Sequence, residues 1–278
     1  MKIAIVIPVY RKPTECEIIS LRQCCKVLSR YNHYIVAPDS LDTTPFHSIW
    51  SEYGLTLSEE RFAPEFFVGL QGYNRLCLSR EYYSRFSMGG YSHMIIHQPD
   101  VFIFEDKVEE WCVKGYEYVG APNVGLARQK TYSPKMPLRV GNGGFSLRYI
   151  PAFLRFFDGQ KQVFNLRHIL VTPMVWRRNY WWLVAKALIF CIKGSMPNDV
   201  LTQWQTNEDD FWGGLLSLSE YALNKPLPEE ALYFGFDRFP KELYERIGKL
   251  PMGCHAWHKY EYDEFWKKII NKYAHLDK

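Results

Sequence analysis

The sequence predicts an α/β fold with a mixed, mainly parallel central sheet that is flanked by helices. Residues 3–7 form an unbroken apolar run, which Pro8 ends. Such runs are typical of strands buried on both faces of a parallel sheet. A helical pattern and a second apolar run at 34–37 follow, so the chain begins with a β-α-β unit, which implies a right-handed crossover between parallel strands.

The first helix is predicted to begin after Thr14, whose hydroxyl can accept a hydrogen bond from the first turn. Glu15 and Glu17 then lie where the helix dipole favours negative charge. The apolar residues that follow recur at helical spacing and are Ile18, Leu21, Cys25 and Leu28.

The rest of the chain alternates between strand and helix patterns. Further strands are predicted at 93–97, 101–104, 118–119 and 144–147. Further helices are predicted at 69–86, 110–113, 150–157, after the acidic residues that start at 208, and at 260–273. A loop rich in Lys, Arg, Pro and Gly at 123–141 is a candidate flexible lid.

Residues 158–200 are predicted to form a helical insertion. Within it, 176–193 is an apolar and aromatic helix with basic flanks, whose strictly apolar stretches are too short to span a bilayer. One interpretation places this helix in the core or in a homodimer contact. The other places it on a membrane surface, where Trp and Tyr lie at the interface and Lys and Arg meet anionic lipid.

The composition narrows the class of protein. The chain has 278 residues, of which 47% are hydrophobic and 17% aromatic, so it can bury a large core. Its net charge of +4 is too small to predict nucleic-acid binding, but it fits a phosphate-bearing ligand or an anionic membrane. The seven cysteines form no Cys-x-x-Cys pair, and the N-terminal apolar run is too short for a signal peptide. We therefore expect a cytoplasmic protein with reduced thiols.

The acidic run at 207–213 is the first candidate for chemistry, because it sets three carboxylates beside two large aromatic side chains. These residues are Glu208, Asp209, Asp210, Phe211 and Trp212. One interpretation is a solvated helix start capped by Asn207, where the dipole favours anions. The other is a catalytic base next to an aromatic ring that stacks on a sugar, because the aromatic pair and the double glycine after it indicate a tightly packed, partly enclosed site.

Three further segments are candidates, each with a plain structural alternative. Asp100 follows a predicted strand, where ligands of α/β sheets bind, although a turn aspartate beside a proline is common. The segment VGNGGFSLR at 140–148 allows close approach of the backbone to a ligand, or it is a glycine-rich turn. His255 lies near Trp257 in a segment whose Gly253 favours a loop, and such a histidine is either structural or a ligand.

Taken in this order, the segments resemble nucleotide-sugar glycosyltransferases of the GT-A fold. The resemblance rests on the start IAIVIPVY, the aspartate that ends a central strand, NGGFSLR, EDDFW and a late His-Ala-Trp. The chain is most similar to a bacterial family of uncharacterised glycosyltransferases, and more distantly to galactosyltransferases of the lactose-synthase type. The resemblance covers about 1–157 and 200–258 and leaves the insertion outside.

The resemblance implies one domain with a nucleotide-binding half and an acceptor half. The nucleotide-binding half would be 1–120, the acceptor and catalytic half 121–260, and a C-terminal helix would follow at 261–278. It also implies that Asp209 is the catalytic base, with Glu208 and Asp210 as rivals, for an attack that inverts the anomeric centre.

The resemblance further implies a divalent cation on Asp100 and His255. The family has an Asp-x-Asp motif at this place, whereas this chain has Gln98-Pro99-Asp100 with a single aspartate. Water can complete the coordination shell, and a histidine ligand favours Mn²⁺ over Mg²⁺. Residues implied to bind the nucleotide sugar are Pro8, Tyr10, Asp39, Asp100, Asn142, Gly143, Gly144 and Trp212, with Arg128 or Lys130 closing over the diphosphate.

The function implied is transfer of a sugar from a nucleotide-linked, in particular UDP-linked, donor to a hydroxyl of a glycan or lipid-linked glycan. Such a hexosyltransferase would serve bacterial cell-surface polysaccharide synthesis at the inner face of the plasma membrane. A sugar nucleotidyltransferase is one alternative, disfavoured because no glycine follows the first strand. A non-catalytic carbohydrate-binding or membrane-docking module is the other.

Overall fold

A computed structural model describes residues 1–125, 130–172 and 181–275 of the chain. The strands are β1 (Ile3–Pro8), β2 (Asn32–Pro38), β3 (Leu57–Phe62), β4 (His93–His97), β5 (Val101–Ile103), β6 (Tyr118–Gly120), β7 (Pro122–Val124), β8 (Leu138–Val140), β9 (Phe145–Tyr149), β10 (Gly235–Phe236) and β11 (Gly253–His255). The α-helices are α1 (Glu15–Val27), α2 (Thr44–Ser51), α3 (Gly69–Cys77), α4 (Arg80–Met88), α5 (Val108–Val113), α6 (Ile150–Phe157), α7 (Leu166–Val171), α8 (Trp181–Lys193), α9 (Pro197–Gln203), α10 (Pro228–Ala231), α11 (Pro240–Ile247) and α12 (Lys267–Ala274).

The central sheet has six strands in the order β3-β2-β1-β4-β9-β6. Strands β3, β2, β1 and β4 are mutually parallel, while β9 runs antiparallel to both of its neighbours. The predicted mixed, mainly parallel sheet flanked by helices is therefore confirmed. The chain leaves β1 toward β2 on one side and returns to β4 on the other, which creates a switch point between β1 and β4 where α/β proteins bind ligands.

The opening β-α-β unit forms where the sequence predicts it. Every residue of β1 is buried, since helices cover both faces of the sheet. Helix α1 begins after Thr14 with a capping box, in which the Thr14 hydroxyl accepts a hydrogen bond from the Glu17 N–H and the Glu17 carboxylate accepts one from the Thr14 N–H. This cap fixes the start of α1 close to the carboxyl end of β1.

A second, three-stranded sheet has the order β10-β11-β5. Strands β11 and β5 are antiparallel, and His255 is paired with Val101. The expectation that His255 lies in a loop is therefore wrong, because three residues of its segment add a strand to β5. This pairing brings His255 beside Asp100, which immediately precedes β5.

The other differences from the sequence prediction concern breaks and short elements. The helix predicted at 69–86 is two helices, α3 and α4, because the hydroxyl of Ser79 caps a new start. The segment at 123–141 contains the antiparallel hairpin of β7 and β8, so it is not simply a loop. The helix predicted at 260–273 is a π-helical turn at Tyr262–Trp266 followed by α12.

The insertion predicted at 158–200 contains α7, α8 and most of α9. Of the helix predicted at 176–193, residues 176–180 lie outside the described part of the chain, and α8 accounts for the rest. Arg128 of the predicted lid also lies outside the described part. Within the described ranges, no helix is both long enough and apolar enough to cross a membrane.

Candidate active site

A cleft of about 350 Å³ lies at the switch point of the central sheet, at the carboxyl ends of β1 and β4. Its walls include Pro8, Tyr10, Arg11, Tyr73, Asp100 and Lys259. It has the position that ligand clefts take in open α/β sheets, where the strands end and the chain reverses its order. Tyrosine and charged side chains line it together, as is common in ligand sites.

Asp100 and His255 meet at one end of this cleft. His255 Nε2 lies 3.3 Å from Asp100 Oδ1 and 3.0 Å from Gln98 Oε1. The second oxygen of Asp100 accepts a hydrogen bond of 2.9 Å from Lys259 Nζ. The structure thus brings together the two predicted metal ligands and adds Gln98 and Lys259, which the sequence analysis did not assign.

Asp237 lies behind His255, on the side away from Asp100. His255 Nδ1 is 3.4 Å from Asp237 Oδ1, and Asn142 Nδ2 donates a hydrogen bond of 3.1 Å to Asp237 Oδ2. Asp237 is only 8% exposed, so its carboxylate faces His255 from within the protein. The sequence analysis did not assign Asp237. The only local signal is its position directly after the short strand β10.

Neighbouring charges of opposite sign shift the pKa values of Asp100 and His255. Burial alone would raise the pKa of Asp100, but hydrogen bonds from His255 and Lys259 outweigh it and hold that pKa well below its ordinary value. Burial likewise opposes the charged form of His255, yet Asp100 and Asp237 raise the pKa of the imidazole above its ordinary value. The corner therefore holds several charged groups close together. A bound cation and an anionic ligand can take the place of these ion pairs.

The predicted glycine segment connects this corner to the acidic run. Asn142 Oδ1 accepts hydrogen bonds from the N–H groups of Gly144 and Phe145 at 2.9 and 3.2 Å, which shapes the turn. A Cβ on Gly144 would lie 2.5 Å from Gln98 Oε1 and 2.6 Å from His255 Nε2. A Cβ on Gly143 would lie 1.9 Å from Glu208 Oε1. A larger residue at either position would displace polar or charged side chains, which occupy the space on each side.

The donor atoms at the corner suit a divalent cation that shares its shell with another ligand. Among residues 1–125, 130–172 and 181–275, no three His, Cys, Asp or Glu side chains converge on one point. Two ligands about 2.1 Å from an ion and at right angles lie about 3.0 Å apart. The spacing of His255 Nε2 from Asp100 and Gln98, 3.3 and 3.0 Å, matches that geometry. Phosphate oxygens or water would complete such a shell.

Glu208 anchors the acidic run and does not face the cleft. It is 2% exposed, and its Oε1 accepts a hydrogen bond of 2.8 Å from Arg148 Nη2, whose side chain is fully buried on β9. Its backbone N–H donates to Asn74 Oδ1 at 3.1 Å. A base must reach the acceptor hydroxyl, so the structure corrects the assignment of Glu208 as a rival base: this carboxylate is engaged by Arg148.

Asp209 also packs against the glycine segment, through its backbone. Its backbone oxygen is 3.4 Å from the position that a Cβ would take on Gly141, and its half-buried side chain accepts a hydrogen bond of 2.9 Å from the Asp210 N–H. Burial raises the pKa of Asp209, and the charges of Glu208 and Asp210 raise it further, to about 8. Burial also raises the pKa of Asp210, against the opposing charge of Arg139.

Trp212 lies in the core and offers no ring face to a sugar. It is fully buried, its Nε1 donates to the Cys77 carbonyl at 3.2 Å, and its ring lies 4.7 Å from that of Phe153 and 5.3 Å from that of Phe156. The expectation that Trp212 stacks on a ring of the substrate is therefore wrong. The aromatic residues of α6 fill that space because they are the apolar face of the neighbouring helix.

The remaining predicted site residues have different positions. Pro8 and Tyr10 line the cleft, and Tyr10 is 63% exposed. Asp39 is exposed just after β2, at the same edge of the sheet as the cleft but outside its walls. Lys130 is exposed, and Arg128 lies outside the described residues.

Comparison with known proteins places the chain in a family. Residues 56–255 match the family DUF5672, described as a protein of unknown function. The chain belongs to the DUF5672 family. No curated protein matches the sequence.

Comparison with solved structures identifies the fold. The chain is similar to the galactosyltransferase LgtC, solved with donor and acceptor sugar analogs, with a TM-score of 0.52 and 12% identity over 98% of this chain and 95% of that one. A second LgtC structure, of an active-site mutant, matches with a TM-score of 0.50 and 13% identity, over 98% of this chain and 95% of that one. At this identity the likeness concerns the fold, so this DUF5672 protein has the GT-A fold.

Proposed function

We propose that this DUF5672 protein is a glycosyltransferase that moves a sugar from a nucleotide-sugar donor to an acceptor hydroxyl. One observation carries the proposal: the cleft at the β1–β4 switch point ends at the corner of Asp100 and His255, and the Asn142-Gly143-Gly144 turn joins that corner directly to the acidic run. The proposed nucleotide site and the proposed cation site therefore adjoin, and the turn lies between them and the acidic run.

The donor nucleotide would occupy the cleft, within the half of the chain at 1–120. Tyr10 offers an exposed ring beside Pro8, and Asp39 lies at the same sheet edge for a contact with the base or ribose. Arg11, which is paired with Glu17, and Lys259 would supply positive charge for the diphosphate. Lys259, which is paired with Asp100, can turn to the phosphate when a ligand enters, because its side chain is 56% exposed.

Asp100 and His255 would hold a divalent cation, with Gln98 as a third donor. When bound, the cation would neutralise the charge that grows on the leaving diphosphate. Asp237 would then orient His255 by accepting from its Nδ1–H, an arrangement that metal-bound histidines commonly have. We expect Mn²⁺ rather than Mg²⁺, because imidazole is a softer ligand than the oxygens that Mg²⁺ prefers.

Asp209 is the proposed base. A pKa of about 8 makes its carboxylate a good proton acceptor near neutral pH, since general bases work best when their pKa is close to the operating pH. Direct removal of the acceptor proton during attack on the anomeric carbon predicts inversion. Glu208 and Arg148 would hold Asp209 in place, while Asp210 remains the alternative base.

The finer features of the proposal concern the substrates and the setting. We expect a UDP-linked sugar as donor and a glycan or lipid-linked glycan, bound by residues of 121–260, as acceptor. The setting would be bacterial cell-surface polysaccharide synthesis, with the protein in the cytoplasm at the inner face of the plasma membrane. These expectations rest on the resemblance of the motifs and on the mildly basic charge.

A thermal-shift panel of nucleoside diphosphate sugars, with and without Mn²⁺, tests the proposal. A ligand at about 100 times its dissociation constant stabilises the native state by about 2.7 kcal/mol. We expect a shift that depends on Mn²⁺ in the wild type and is lost in the His255→Ala variant. The absence of a shift with every nucleotide tested would contradict the proposal.

Two other functions give different outcomes in matched assays. A sugar nucleotidyltransferase would release pyrophosphate from a nucleoside triphosphate and a sugar phosphate, although the turn after β1 lacks the glycines of that class. A non-catalytic binding module would bind sugar but show no turnover, and Asp209→Asn would leave it unchanged.

A further inference from the structure

The outward side of α8 carries no polar residue. The helix buries Leu183, Ala187 and Phe190, which lie on one side of it. At 3.6 residues per turn, the opposite side carries Trp181, Ala185, Leu188, Ile189 and Ile192. A surface helix normally turns charged and polar residues toward water. The outer side of α8 instead presents apolar residues.

Three of these outward side chains are exposed. Trp181 is 70% exposed, Ile189 48% and Ile192 86%. The neighbouring helix α7 adds Leu166, Leu170 and Val171, with 53%, 53% and 71% exposure. The two helices pack together, and the rings of Phe164 and Phe190 stack between them at 5.6 Å. We call the six exposed apolar residues the α7–α8 surface: Leu166, Leu170, Val171, Trp181, Ile189 and Ile192.

The α7–α8 surface lies in a basic part of the chain. Residues 159–198 contain six Lys and Arg residues and no Asp or Glu. The basic residues with described positions are Lys161, Arg167, Lys186 and Lys193. The exposed apolar side chains of the α7–α8 surface therefore belong to a segment that carries positive charge and no acidic residue.

We propose that the α7–α8 surface binds the face of an anionic lipid bilayer. Apolar side chains flanked by Lys and Arg, with a Trp at the edge, are what a helix needs to lie in the lipid interface. A second copy of the chain is a poorer occupant, because it would bring two positively charged surfaces together. The proposal does not depend on glycosyl transfer.

Co-sedimentation with vesicles tests the proposal on the full chain. We expect binding to vesicles that contain phosphatidylglycerol, little binding to pure phosphatidylcholine, and weaker binding as salt is added. Ile192→Asp should weaken binding to anionic vesicles about tenfold or more, because it removes one buried apolar side chain and adds a repelled charge. Val113→Asp is the matched control: Val113 is 76% exposed on α5, outside the surface.

Both variants change exposed side chains, so their melting temperatures should match that of the wild type. Equal weakening by Ile192→Asp and Val113→Asp, or failure of the wild type to bind anionic vesicles at low salt, would overturn the proposal. A wild type that is dimeric in light scattering, becomes monomeric with Ile192→Asp and ignores vesicles would assign the surface to a second copy instead.

Discussion

Replacement of Asp209 by asparagine should stabilise the protein at alkaline pH. Burial raises the pKa of Asp209, with help from the charges of Glu208 and Asp210, to about 8. The ordinary value in an unfolded chain is about 3.9. Between these values the native state holds a proton that the unfolded state releases, so the wild type loses stability as the pH rises toward 8. Asparagine has no such proton to lose.

The magnitude follows from the size of the pKa difference. Conversion of the whole pKa difference into free energy would give an upper bound of about 6 kcal/mol on the stability gain. The side chain is half-buried, and contact with solvent screens the charge, so we expect about 2 kcal/mol. The amide oxygen of asparagine can still accept the hydrogen bond that Asp209 Oδ1 accepts from the Asp210 N–H at 2.9 Å. The variant should therefore keep the local structure.

Urea unfolding of the wild type and the variant at about pH 5 and about pH 8.5 measures the effect. The stability gain of Asp209→Asn should grow by more than about 1 kcal/mol between the two conditions. Asp263→Asn is the control, since the Asp263 side chain is 73% exposed and its exposed pair with Lys267 contributes less than about 0.5 kcal/mol. A gain for Asp209→Asn that is the same at both pH values would refute the reasoning.

Two further predictions concern the glycine turn and the histidine. Gly143→Ala should cost about 3 kcal/mol in urea unfolding, because a Cβ 1.9 Å from Glu208 Oε1 forces that buried carboxylate away from its ion pair. Gly248→Ala, with no atom within 4 Å of the new Cβ and a φ of +71°, should cost only about 1 kcal/mol, and equal costs would contradict this account. Asp237→Asn should weaken Mn²⁺ binding about tenfold in titration calorimetry, since it removes the carboxylate that faces His255 Nδ1. Unchanged Mn²⁺ affinity would show that Asp237 does not act through the ring.

The parts of the fold that could be predicted are those with strong apolar periodicity. The strands β1 and β4 and the helix α6 were located because unbroken apolar runs or a strong helical pattern mark them. Strand β3 was missed because its sequence, LSEERF, is charged in the middle, as suits a strand at the sheet edge. Strand β11 was missed because three residues give no pattern and pairing with β5 alone makes it extended.

The candidate site likewise contains residues that could be predicted from the sequence and residues that could not. Asp100 could be predicted from its position after β4, and His255 from the order of motifs. Asp237 and Arg148 could not, because their importance comes from contacts with residues far along the chain. Trp212 was misassigned since its sequence neighbours are acidic, while its spatial neighbours are the aromatic side chains of α6. Local sequence does not report which side of a short helical turn faces the core.

The central claim is that a carboxylate at 209 takes the acceptor proton beside a nucleotide-sugar cleft. The most direct measurement compares wild type and Asp209→Asn for both donor binding and release of the nucleoside diphosphate. The account predicts donor affinity within about threefold of wild type and a turnover lower by about 10²–10⁴. Turnover equal to that of the wild type, with donor binding intact, would contradict it.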